Sequence, residues 1–165
     1  MYCLNMYYWI FIMHLFLSTL SYCNSVWANT YPTHLNKLVI LQKKAIRICT
    51  NSNYMTSSSP LFKKLRTLKL LDINTLQITS IMQRYSTNTL PHYLMNMFSL
   101  NSNIHNYPTR NANKFHRWAY SNDNSKHSLR HSGPIIWNAL NVSRFNIAFY
   151  NTFRRQYKKH ILSLY

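Results

Sequence analysis

Between positions 35 and 49 the apolar residues Leu35, Leu38, Val39, Ala45, Ile46 and Cys49 recur every three or four residues, the spacing of one buried helix face. Lys37, Lys43, Lys44 and Arg47 fall on the opposite arc. Tyr31-Pro32-Thr33 predicts the start: the proline stops an incoming helix and Thr33 offers an oxygen to the first N–H groups. Asn51-Ser52-Asn53 predicts the stop. A second helix opens at Ser59-Pro60, with Leu61, Phe62, Leu65 and Leu68 inward and Lys63, Lys64 and Arg66 outward. Asp72 reads as the cap of a third, where its charge suits the positive dipole end, with Ile78, Ile81, Met82 and Tyr85 as core face. Residues 86–89 end it, and Leu90-Pro91 predicts a short helical turn reaching Phe98.

Upstream, residues 6–17 (MYYWIFIMHLFL) form an apolar run interrupted only by His14. A bilayer needs about 20 apolar residues, so this run alone is too short to cross one. It has the length of a signal-peptide core, and Val26-Trp27-Ala28 offers a small-residue cleavage pattern. No positive charge precedes it, however, because residues 1–36 carry no Asp, Glu, Lys or Arg at all. The favoured reading is a buried helix in an intracellular protein of nucleus or cytoplasm. The alternative is a small basic secreted or membrane-attached protein that uses residues 6–28 as signal or anchor.

Downstream, residues 99–113 are rich in Asn and Ser, include Pro108 and Thr109-Arg110, and predict a surface loop. Residues 114–120 and 127–131 bracket Ser-Asn-Asp-Asn-Ser, which predicts a short β-hairpin. Gly133-Pro134 then reads as a turn into IIWNAL. Trp27, Gly133, Pro134 and Trp137 are the expected structural anchors, the tryptophans because a large ring buries much area. A closing helix from about Asn146 lines up Phe149, Phe153, Tyr157, Ile161 and Leu164, with Arg154, Arg155, Lys158 and Lys159 on its other side. The expectation is a mainly α fold, a helical bundle with one small β-hairpin. It forms one domain in three parts: residues 1–98, 99–132 and 133–165.

Charge changes this picture most. Nineteen Lys plus Arg stand against two acids, Asp72 and Asp123, for a formal net charge of +17. Such an excess repels itself unless a polyanion neutralises it, so nucleic acid is the first partner to consider and an anionic membrane surface the second. Charged residues are only 13% of the chain, where roughly a quarter is usual, so the basicity comes from missing acids rather than surplus lysine. The same shortage excludes chemistry. Two-metal phosphoryl transfer needs clustered carboxylates, and paired-carboxylate hydrolysis needs two close together. With Gly133 as the one glycine there is no phosphate-cradling loop either. The chain therefore does not read as a polymerase, nuclease or nucleotide hydrolase, and no catalytic residue is assigned. Cys3, Cys23 and Cys49 lack CxxC spacing and give no disulfide framework, so reduced thiols are the expectation. His127 and His131, four apart, are not read as metal ligands; no metal, cofactor or small-molecule substrate is expected.

The ordered landmarks LSYCNSVWANTYPTHLNKLVILQKKAIRI, SPLFKKLRTLKLLDI, LPHYLMNMF, YPTRN, RHSGPIIWNAL and NTFRRQYKKHIL resemble the C-terminal region of non-LTR (LINE-type) retrotransposon reverse transcriptases. The resemblance runs from about residue 10 to the end; each motif is weak and their order is what is specific. It implies a truncated thumb and connector segment, which in that family follows the polymerase palm and helps hold the template–primer duplex. RNA or DNA, duplex or single-stranded, is then the expected partner, together with the palm of the same polyprotein. The family's catalytic aspartates belong to the palm, so none is carried over. Contacts to the phosphate backbone would fall on Lys43, Lys44, Arg47, Lys63, Lys64 and Arg110, which cluster on predicted exposed faces and loops. Tyrosines offer rings on which unpaired bases can stack.

Overall fold

The hydrophobic spacing is realised as helices. The computed structural model describes residues 2–105, 107, 109–120 and 122–165, with backbone alone at 2–10, 12, 123 and 124. In chain order the helices are α1 (Tyr2–Ser21), α2 (Asn24–Trp27), α3 (Pro32–Cys49), α4 (Ser58–Lys64), α5 (Leu70–Ser86), α6 (His92–Met95), α7 (Asp123–Lys126), α8 (Leu129–Ala139) and α9 (Tyr150–Ser163). Single 3₁₀ turns lie at Asn101–Asn103 and Val142–Arg144. Among the described residues there is no strand, only an isolated antiparallel bridge between Leu100 and Phe115. The fold is mainly α, and none of its described helices is long and apolar enough to cross a membrane.

The chain divides into two compact units, one of Met1–Asn74 with Lys158–Tyr165, the other of Thr75–Tyr157. In the first, α1 is apolar nearly all round, yet among its described side chains burial is one-sided. Met13 and Leu20 are buried and Phe16 and Leu17 half-buried, while Phe11 and Leu15 remain exposed. The inward set has helical three- and four-residue spacing and meets α3 and α4 in two clusters. One joins Met13, Ile46, Leu61 and Phe62; the other joins Leu20, Ala28, Leu35 and Leu70. Trp27 lies half-buried against the second cluster and donates its indole N–H to the Tyr22 carbonyl at 2.8 Å.

Helix α3 begins at Pro32, as the sequence predicts, but Thr33 is not its cap. That position belongs to Tyr31, whose side chain makes no capping bond, and Thr33 lies exposed in the first turn. Its inward face includes one residue no hydrophobic pattern finds. Gln42 is fully buried, donates to the Leu68 carbonyl at 2.9 Å and accepts the Leu70 N–H at 2.9 Å. It thereby satisfies one of the N–H groups that a helix start leaves without intrahelical partners. Asp72 is likewise not the cap of α5: it sits in the first turn and accepts the Tyr165 hydroxyl proton. The Tyr165 oxygen in turn accepts the Lys69 N–H at 2.9 Å. Two side chains distant in sequence thus do what a local cap does elsewhere.

The second unit is held by rings. Tyr85, Phe98, Phe115, Trp137, Phe153, Phe145 and Tyr157 form a linked series with centroid separations from 5.2 to 6.5 Å. Most pairs are edge-to-face, the arrangement favoured by the aromatic quadrupole. Phe98, Phe115, Trp137, Phe153 and Tyr157 are buried. Here the predicted hairpin fails. Residues 127–131 run into the start of α8, where the Ser128 carbonyl accepts N–H groups from His131 and Ser132. Residues 114–116 find another partner: Asn101 N–H reaches the Lys114 carbonyl at 3.0 Å and His116 N–H the Ser99 carbonyl at 2.8 Å. Local helix bonds need no long loop closure, and they win over a pairing that has no strong turn signal.

Gly133-Pro134 is also not a turn, since both residues lie buried inside α8. The glycine allows a close approach: a Cβ there would meet Met82 Sδ at 2.9 Å and Phe98 Cε1 at 3.1 Å, so those side chains would have to shift. Pro134 lies past the first turn of α8 and has no N–H to offer the Arg130 carbonyl, a cost the helix bears in its interior. In α9, Phe153, Tyr157 and Ile161 are buried as predicted, but Phe149 precedes the helix at 66% exposure and Leu164 follows it at 73%. Both drop out of the core because the helix that was to align them is shorter than its apolar spacing.

Candidate nucleic-acid interface

The C-terminal turn of α3 and the loop after it form a basic recess. The helix ends at Cys49, whose thiol is pushed up from its ordinary pKa by burial and is therefore not poised as a thiolate. Asn51 takes a left-handed conformation, φ 48°, a backbone state asparagine tolerates better than most residues. That turn folds the loop back: Ser52 N–H bonds the Arg47 carbonyl at 2.9 Å and Asn51 N–H the Ile48 carbonyl at 3.1 Å. Thr50 adds its hydroxyl to the Ile46 carbonyl at 2.8 Å. The last carbonyls of α3 are thus engaged, and Arg47 sits in the final turn, where a cation suits the dipole.

The result is a cleft of about 570 Å³ lined by Lys44, Arg47, Ile48, Asn51, Ser52 and Tyr54. This lies within the roughly 300–1,000 Å³ usual for ligand clefts. Arg47 is fixed in it by an Nε bond to the Thr56 carbonyl at 3.0 Å, and its guanidinium stands 5.7 Å from the centre of the Tyr54 ring. Tyr54 is 68% exposed. Asp72 is the only acidic side chain in this unit, and it is occupied by Tyr165. Chemically the recess offers positive charge, an open aromatic face, an apolar wall in Ile48, and hydrogen-bonding groups from Asn51 and Ser52. Those features suit a planar anion.

Of the sequence-derived contacts, Lys44 and Arg47 line this cleft together. Lys43 is one residue away on α3 and half-buried, while Lys63 and Lys64 are exposed in the last turn of α4. Arg110 is exposed in the other unit, in the loop preceding Phe115. Trp27 is half-buried in the first unit, and Gly133, Pro134 and Trp137 are buried in the second. The sequence reading takes Asn51 and Ser52 only as the stop of a helix and does not single out Tyr54. The available signal was a tyrosine within the polar loop NSNYMTSSS, directly after a basic helix turn.

Elsewhere cations are already engaged by rings: Lys69 over Tyr165 at 4.2 Å, Arg84 over Tyr150 at 4.2 Å and Arg130 over Trp118 at 4.4 Å. Such contacts serve packing as readily as binding. Among the described residues no group of three His, Cys, Asp or Glu side chains could hold a metal ion. No protein-family model, curated protein or solved structure matches the chain.

Proposed function

We propose that this chain is a non-catalytic C-terminal piece of a non-LTR retrotransposon reverse transcriptase, a thumb-like helical module that holds nucleic acid by its phosphate backbone. The observation that carries this reading is the ordered run of landmarks from LSYCNSVWANTYPTHLNKLVILQKKAIRI to NTFRRQYKKHIL. Supporting it are the net charge of +17 and the exposed basic residues Lys44, Lys63 and Lys64. Backbone-directed cations give affinity without sequence preference, because binding releases counterions from the phosphates. Two experiments test the two halves. Translating the DNA upstream of Met1 in three frames should reveal a palm with its aspartate motif; a promoter and leader with no such remnant would remove the family reading. Titrating a labelled duplex between 50 and 200 mM salt should give log K falling linearly with log salt. Salt-independent binding, or none at 50 mM, would remove the binding role.

The uncharged stretch of residues 1–36 favours a second reading, in which residues 6–28 serve export or anchoring. Against it stand Met13, Leu20 and Ala28, all buried in the first unit, so that removing this segment would open that unit's core. A mature N-terminus found near Asn29 by sequencing the isolated protein would reverse that order.

A further inference from the structure

We infer that the cleft behind α3 takes one unpaired nucleotide of a single strand, its base stacked on Tyr54 and its phosphate held by Lys44 and Arg47. This rests on the nucleic-acid reading above and makes it specific, since a duplex held by its backbone alone has no use for an open ring. Four observations converge on the recess. Tyr54 is a large aromatic left 68% exposed in a polar loop, and it belongs to neither of the two core clusters described for its unit. Its neighbour Arg47 lines the cleft and has Nε committed to the Thr56 carbonyl, which restrains where its guanidinium can go. Lys44 is exposed one helical turn earlier, near the three-residue spacing that puts both cations on one face. Asn51 and Ser52 supply groups for a base edge or a sugar hydroxyl at the rim.

The combination discriminates between anions. A free phosphate would need only Lys44 and Arg47, and an acidic peptide would leave the tyrosine face unused. A nucleotide uses both, as in proteins that bind single strands through a positive groove with aromatic platforms. Stacking is tolerant of base identity because every base has a π-face, so the cleft should show little sequence preference.

The test uses the full chain, a fluorescein-labelled oligothymidylate and a labelled duplex of the same length, read by anisotropy at 50 mM salt. Tyr54→Ala should weaken oligothymidylate binding between about five- and a hundredfold while leaving the duplex within about twofold. Tyr54→Phe should keep the single-strand affinity, because the ring and not the hydroxyl stacks. Lys44→Gln should lower the magnitude of the single-strand salt slope by about 0.7, the loss of one phosphate contact. Tyr54 is exposed, so its variants should fold, which a circular dichroism spectrum matching the parent would verify. If Tyr54→Ala leaves both ligands unchanged, or weakens both equally, the cleft assignment is wrong while backbone binding stands. If the parent chain binds neither ligand, both readings are overturned.

Discussion

Gln42 and Asn138 make the same move in two different settings. Each is an amide side chain that grips the backbone of a segment distant in sequence, donating to one carbonyl and accepting one N–H. Gln42 holds Leu68 and Leu70 in the first unit, at 2.9 Å for both bonds. Asn138 holds Phe115 in the second, accepting its N–H at 3.0 Å and donating to its carbonyl at 2.8 Å. Gln42 is fully buried, and Leu68 and Leu70, whose backbone it holds, are buried too; Asn138 is half-buried beside a series of aromatic rings. The lesson is about dependence. Where water is excluded, the polar grip must be intact, because an orphaned backbone group has no substitute partner. Where rings carry the packing and water can reach the amide, the grip is an addition to stability and not a condition of it.

The largest effect that could upset this contrast lies in the aromatic unit. Phe153 is fully buried between Trp137, Phe145 and Tyr157. Phe153→Ala should cost about 3–5 kcal/mol in urea unfolding and flatten the near-ultraviolet circular dichroism. A loss below about 1 kcal/mol would mean that the ring series is not what holds that unit. Next in size, Gln42→Met keeps the volume but strips both bonds, leaving the Leu68 carbonyl and the Leu70 N–H without partners. The expected loss is about 2–4 kcal/mol, measured in the same denaturant series.

Tyr165→Phe comes third, at about 1–2 kcal/mol near neutral pH, from the lost bonds to Asp72 and the Lys69 N–H. It carries a pH signature as well. Burial and then the Asp72 hydrogen bond hold the Tyr165 phenol well above its usual range. The folded chain therefore keeps that proton after the unfolded chain has lost it. Its contribution is complete below about pH 10, the unfolded value, and falls as pH rises through and beyond it. The difference in stability between parent and variant should shrink above pH 10; a difference that grew there would show the shift to have the opposite sign. Smallest is Asn138→Ala, about 1 kcal/mol or less, because water can replace the amide. Equal losses at Gln42 and Asn138 would erase the contrast between the two units.

Much of the helical content was legible because burial imposes a three- and four-residue spacing on apolar side chains. The inward faces of α3, α4 and the buried part of α9 follow it: Leu35 and Ile46, Leu61 and Phe62, Phe153, Tyr157 and Ile161. Turn chemistry was less legible. Gly133 reads as a breaker in sequence, yet it stands inside a helix, where Met82 and Phe98 pack closely against it. The hairpin reading failed for a related reason: a strand pairing is settled by the partner available, and residues 114–116 meet residues 99–101 instead. Of the candidate site, Lys44 and Arg47 were found from charge on an exposed face. Tyr54 was not, because its role depends on a loop that turns back at Asn51.

What the sequence determined by itself is whatever depends on composition and local spacing: a strongly basic chain, poor in carboxylates and glycine, built mainly of helices with apolar inner faces. What the tertiary structure decided is whatever depends on residues far apart in the chain. Gln42 and Tyr165 cap the start of α5 from 28 and 96 residues away, Asn138 grips Phe115 across 23, and Arg47 is restrained by a carbonyl nine residues on. A polar side chain takes its meaning from the partner it finds, and that partner is fixed only when the backbone has closed around it.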